Sequence, residues 1–158
     1  MLVPLTYWNE SLGLAVIIDA AAMSIIHSHR QLEADANESG GVLIGERRGV
    51  HVWVRTATPP QRSDLRTRTS FLRRSKKHQE MVNDAWRLSD GAQVYVGEWH
   101  THPEHMPRPS LVDRAGLLVR AMQARQSLVV LIAGISEDFV GVQSSLLLTH
   151  CVLQKNSV

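Results

Sequence analysis

GEWHTHPEHMPRPSLVD, residues 97–113, reads as three kinds of local structure in succession. Its front end completes a strand over 93–101 (QVYVGEWHT), where β-branched and aromatic residues concentrate. Prolines at 103, 107 and 109 exclude a helix from 102–109, so that segment is an irregular loop. A helix over 111–124 follows, with Ala115, Leu118, Val119 and Met122 spaced as one apolar stripe. Ser110, just ahead of it, and Asp113, in its first turn, have the spacing of an N-cap and a first-turn carboxylate. Side chains two apart in a strand face the same way, so His100 and His102 converge at the strand end. The intervening loop can fold Asp113 back onto them. Two imidazoles and one carboxylate form a borderline-to-hard donor set suited to one zinc ion per chain. Three protein ligands leave a fourth position for water, as a catalytic site requires.

The sequence carries its own control. His27 and His29 also read H-x-H, but in a stretch expected to be helical, where such residues lie roughly 200° apart around the axis. They cannot readily share a metal and are expected on a helix surface. His51, His78, His105 and His150 lack comparable spacing and are expected to be ordinary polar residues. Activating a water also needs a carboxylate to take its proton. Strand parity nominates Glu98, on the face of His100, with Glu38, Glu46 and Glu104 as further candidates. The residues alone do not choose among them.

Working outward, GLAVII (13–18) reads as a buried strand and 19–34 as a helix that Asp19 could cap. ESGG (38–41) is a turn leading into the strand VLIG, and Arg47-Arg48-Gly49 turns the chain into an alternating strand over 50–57. Pro59 to Arg68 is polar, basic and broken by prolines, hence a loop. Residues 75–89 form an amphipathic helix closed by Asp90-Gly91. The apolar runs 127–133 and 145–153 are expected to be strands. Alternating strands and helices in 158 residues point to a single α/β (or α+β) domain with a layered sheet.

With 44% apolar residues, the chain can bury a core without disulfides. Its one cysteine, Cys151, excludes an intrachain disulfide and a cysteine-based zinc knuckle, and fits a reducing cytoplasm. No basic leader with a long apolar run opens the sequence, and no apolar run spans a bilayer, so no membrane partner is expected. Basic runs at 62–68 and 73–77 lack aromatic interleaving, so nucleic acid is not expected as a partner. A metallo-β-lactamase-like reading of HTHPEH lacks the further downstream ligands, and a nucleobase deaminase would need a second cysteine.

Glu38-Ser39-Gly40-Gly41-Val42-Leu43-Ile44-Gly45, His100-Thr101-His102-Pro103 and Ser110-x-x-Asp113 together resemble the JAB/MPN family with an intact JAMM metalloprotease motif. The resemblance spans roughly residues 13–150. It implies a curved mixed β-sheet flanked by helices. It further implies zinc on His100, His102 and Asp113, with Glu38 as general acid/base and Ser110 as hydrogen-bond donor to the oxyanion. It implies a peptidase or isopeptidase acting on a protein with a flexible C-terminal tail, and arginines 62, 66 and 68 could contact that substrate. Within the family the compact chain is most similar to deconjugating peptidases of bacterial CBASS antiphage operons. Those act beside an E1/E2-like ligase and free the C-terminus of a cGAS-like nucleotidyltransferase (CD-NTase) from its targets. Other roles in the family are a ubiquitin-like or sulfur-carrier precursor peptidase and a non-catalytic MPN scaffold. The scaffold would carry no stoichiometric zinc.

Overall fold

The computed structural model describes residues 3–146 and 150–155. Within them the chain forms strands β1 (Leu5–Asn9) and β2 (Leu14–Ile18), helix α1 (Ala20–His27), and the hairpin of β3 (Gly40–Arg48) and β4 (His51–Ala57). A small hairpin of β5 (Leu65–Thr67) and β6 (Ser70–Leu72) precedes helix α2 (Lys77–Leu88) and strand β7 (Val94–Thr101). Helix α3 (Leu111–Ala124) leads to β8 (Leu128–Ala133) and β9 (Asp138–Gln143), then the short β10 (His150–Val152) and β11 (Gln154–Lys155). Nine strands make one curved sheet in the order β10-β9-β8-β7-β3-β4-β2-β1-β11. The β7–β8 and β2–β4 pairs are parallel and the rest antiparallel, so the expected mixed α/β architecture is observed.

The sheet separates two apolar layers. On one face Ala22, Met23 and Ile26 of α1 pack against Val16, Ile18, Leu43, Val54 and Trp99. On the other face Leu117 and Ala121 of α3 pack against Val130 and Ile132, and Val82 of α2 packs against Val42 and Ile44. An irregularity in β7 matters for the site. Leu43 pairs with Gly97 but Ile44 pairs with Tyr95, so β7 holds one extra residue there, a bulge. The bulge switches side-chain parity. Val96 and Trp99 both enter the α1-side core, while Tyr95, Glu98 and His100 share the opposite face. Gly97 is required at this point, because a Cβ there would lie 2.0 Å from the carbonyl oxygen of Val129.

Several elements differ from the sequence reading. Helix α1 stops at His27 rather than near residue 34, because tertiary contacts hold the residues beyond it in a non-helical path. Gln31 is buried and donates from Nε2 to the carbonyls of Ala36 and Arg68, and Arg30 pairs with Asp138. Asp19 sits at the helix start but makes no capping bond; its carboxylate accepts from Trp53 Nε1 and pairs with Arg55. The segment 59–68 is not wholly irregular, since β5 lies in it. The stripe expected on α3 faces out: Val119 and Met122 are more than half exposed, and the buried face is Leu117 and Ala121. Of the run 145–153, residues 147–149 lie outside the described residues, and the strand observed is His150–Val152.

Candidate metal centre

His100 is the penultimate residue of β7, and His102 lies just past the strand, where its N–H donates to the carbonyl of Ala133. Both rings point to the same side, as the H-x-H spacing requires, with Nε2 atoms 3.1 Å apart. Asp113 reaches the same point from the first turn of α3. Its Oδ1 lies 3.5 Å from His100 Nε2 and its Oδ2 3.3 Å from His102 Nε2. Ser110 fixes that carboxylate by a complete capping box: Asp113 N–H donates to Ser110 Oγ, while Ser110 N–H and Oγ–H both donate to Asp113 Oδ2. Capping and site formation are therefore one arrangement rather than rival explanations of the same residues.

The three donors fit an ion. An ion bound at about 2.0–2.1 Å by a tetrahedral set places its ligand atoms about 3.3–3.4 Å from one another. The two nitrogens are 3.1 Å apart, and each has its own Asp113 oxygen at 3.3–3.5 Å. One donor atom from each residue can be chosen so that all three lie within 4.8 Å of one another, close enough for a small shift to bring them onto one ion. Among the described residues, this is the cluster of histidine and acidic groups able to hold a metal ion. Its electrostatics agree. Burial alone would raise the Asp113 carboxyl, but hydrogen bonds and charge from His100 and His102 hold it far below the usual carboxylate range. Burial alone would lower His102, yet Asp113, Glu38 and Glu104 outweigh it and raise it.

The structure separates the four glutamates that the residues left open. Glu38, just before β3, is buried, and its Oε1 lies 3.9 Å from His102 Nε2, beside the cluster but not part of it. Burial, reinforced by Asp113 and Glu104 and opposed by His102, raises its carboxyl to about 7. Glu98 shares the face of His100, as parity requires, but is held by Arg73, Arg120 and Tyr95. Glu46 pairs with Arg48 and Arg55 near the far end of β3. Glu104 lies 3.8 Å from the other nitrogen of His102 and is largely exposed.

Glu38 is held by residues that no motif announces. Its backbone N–H donates to the carbonyl of Thr67 on β5, and its carbonyl accepts from Arg66 Nε. Ser39 N–H donates to Thr101 Oγ1, which in turn donates to Oε1 of the buried Gln31. Arg66 and Arg68 thus spend donors on chain carbonyls of 34–38 instead of standing free for a substrate. His78, expected to be an ordinary polar residue, is buried in a chain of hydrogen bonds from Asp64 Oδ2 through its ring to Thr58 Oγ1. Asp64 also accepts from the N–H groups of Gln61, Arg74 and Ser75, closing the base of the segment that carries the β5–β6 hairpin. His27 and His29 do not meet, but not for the helical reason expected: α1 ends at His27, whose ring bonds Asp138, and His29 lies beyond the helix, stacked on Trp99. A cleft of about 600 Å³ runs from the cluster between the β5–β6 hairpin and α3, with β7 as its floor.

A fold of this kind, with a buried glutamate beside a His-His-Asp cluster, defines a class, and sequence comparison names it. The family described as prokaryotic homologs of the JAB domain matches residues 19–144, and the chain belongs to that family. It is 40% identical over 147 residues to a CD-NTase/cGAS isopeptidase of Vibrio cholerae, covering 93% of each chain. It is also 40% identical over 126 residues to a protein of the same name from Escherichia coli, covering 80% of each. A probable metalloprotease of Sinorhizobium fredii is 31% identical over 109 residues, 65% of this chain and 66% of that one. The solution structure of a Desulfitobacterium hafniense protein shares the fold, with a TM-score of 0.56 at 20% identity over 91% of this chain and 90% of that one. These relationships support a JAB-family hydrolase of the peptidase or isopeptidase kind.

Proposed function

We propose that the protein is a zinc-dependent isopeptidase that cuts after the C-terminal tail of a conjugated protein, and that the conjugated protein is a CD-NTase in bacterial antiphage defence. The observation that carries this reading is the convergence of His100, His102 and Asp113, with donor atoms within 4.8 Å of one another, and Glu38 Oε1 standing 3.9 Å from His102 Nε2. His100, His102 and Asp113 would hold the ion. When bound, zinc makes a water acidic enough to ionise near neutral pH and polarises the scissile carbonyl. Glu38 takes the proton from the attacking water. Its buried position beside the cluster suits that exchange, since the same carboxyl can return the proton to the departing amine. Ser110 is the proposed donor to the developing oxyanion; its single hydroxyl proton is given to Asp113 Oδ2 at 2.7 Å in this structure, so the role requires that bond to be released when substrate binds. The names of the Vibrio and Escherichia relatives support the choice of substrate.

The test is a reporter fused behind the C-terminus of a CD-NTase. One cut at the junction is expected, lost on chelation and lost when the last few tail residues become bulky. Equal cleavage of unrelated unfolded peptides would mean a general peptidase and contradict the reading.

A further inference from the structure

Glu98 takes no part in the reaction proposed above, yet it sits on the floor of the cleft, two residues before His100 on the same face. Arg73, just past β6, approaches its Oε1 at 3.0 Å, and Arg120 of α3 approaches its Oε2 at 2.6 Å. Tyr95 donates its hydroxyl to Oε1 at 3.1 Å. The two arginines therefore come from opposite walls of the cleft and meet over one carboxylate. The sum is one excess positive charge. Among the described residues, no other carboxylate lies within ion-pair distance of either guanidinium. Their side chains remain 33% and 41% exposed and both line the cleft, although the nitrogens that approach Glu98 are themselves buried. A merely solvated surface face would not bring two cations together across a groove.

We propose that Arg73 and Arg120 form a specificity subsite for an acidic side chain of the substrate tail, two or three residues on the N-terminal side of the bond cut. This rests on the tail-cleaving reading. Guanidinium groups present paired donors that match a carboxylate. Glu98 and His100 are two residues apart, roughly 6.6 Å at the pitch of a strand, and an extended tail rises at the same pitch. The tail runs here, and not the leaving side, because the leaving side of an isopeptide is a lysine on a folded target. A folded body cannot thread between the hairpin and α3, whereas an extended chain can. Glu98 keeps the two arginines in place when the cleft is empty and sets the preference for a single negative charge.

The probes are fluorescein-labelled hexapeptides of alternating alanine and glycine, with glutamate, glutamine or lysine placed at each of the last four positions in turn. They are titrated by anisotropy against zinc-loaded Glu38→Gln protein. Glutamate at the second or third position from the C-terminus should bind about five- to tenfold tighter than glutamine, the scale of a partly exposed charged contact. Arg120→Glu should reverse the order, so that lysine binds tighter there; this gain cannot come from a misfolded protein. Arg87→Glu, on the exposed face of α2, should leave the order unchanged. Equal affinity for all peptides, no measurable binding of any, or an order untouched by Arg120→Glu overturns the subsite. The same tails fused to a reporter separate the two claims. Acidic preference in binding with no cleavage removes the peptidase reading alone, and cleavage without acidic preference removes the subsite alone.

Discussion

Replacing Thr58 with valine tests whether the buried Asp64–His78–Thr58 chain holds the cleft together. Thr58 is fully buried, and valine matches its shape, so packing changes little. The hydroxyl, however, serves two partners: it accepts from the Val42 N–H at 2.9 Å and bonds His78 Nδ1 at 2.6 Å. Asp64 occupies the other ring nitrogen of His78 at 2.8 Å, so the ring cannot turn to a new partner without breaking that bond. Thr58→Val strands two buried polar groups, each worth roughly 1–3 kcal/mol when left unsatisfied. A loss of about 3 kcal/mol is expected, equivalent to a fall in Tm of roughly 6–12 °C for a chain of this size. Thr58→Ser keeps both bonds and removes one methyl, so it should lose only about 1 kcal/mol. Urea unfolding followed by tryptophan fluorescence measures all three proteins. A loss below about 0.5 kcal/mol for Thr58→Val, with unchanged denaturant slope, would refute the assignment of this network as a structural anchor.

Glu38→Gln should retain bound metal and lose about 10²–10⁴-fold in the rate of tail cleavage, the usual scale for a positioned acid/base; loss of metal in this variant would make Glu38 a ligand instead. In the metal-free protein, the Glu38 carboxyl should titrate near 7 by NMR, above its ordinary 4.5. The folded chain then binds the extra proton across that window, so apo-protein stability contributed by this group is present below about 4.5 and is lost as pH rises through 7. Comparing wild type with Glu38→Gln in urea at about pH 5 and pH 8 reads this directly, and the opposite slope would contradict it. Gly97→Ala would place a Cβ 2.0 Å from the Val129 carbonyl, between two central strands with no flexible side chain to give way. It should cost at least about 2 kcal/mol in the same unfolding assay and weaken metal binding by shifting β7.

The site was legible because its chemistry is local and polar. H-x-H on a strand and S-x-x-D on a helix each fix a geometry over a few residues, and the structure brings the two together within 4.8 Å. Glu38 was a different matter. It lies 62 residues from His100, and only the likeness to a known family singled it out over Glu98, which strand parity preferred. Parity was correct about the face of Glu98, but two arginines and a tyrosine hold that carboxylate. The face of α3 was misread because its first inward residue is Asp113, so the buried stripe 113-117-121 opens on a charge and looks polar. The length of α1 was misread because helix propensity past His27 yields to the buried hydrogen bonds of Gln31. His78 gave no local signal, since its partners lie 14 and 20 residues away. β1 and β9 went unassigned for a related reason. β1 buries only Tyr7, and β9 comes after the turn at 134–137 with a glycine inside it.

The claim on which the rest depends is that His100, His102 and Asp113 together hold one zinc ion. Metal content of the purified, dialysed chain, measured by mass spectrometry beside single alanine substitutions of the three residues, tests it most directly. About one zinc per chain is expected for the wild type and for Glu38→Gln, with near-complete loss in His100→Ala, His102→Ala and Asp113→Ala while the fold persists by circular dichroism. A wild-type chain that takes up no zinc from a stoichiometric supply, or a His100→Ala chain that keeps its full complement, would contradict the account.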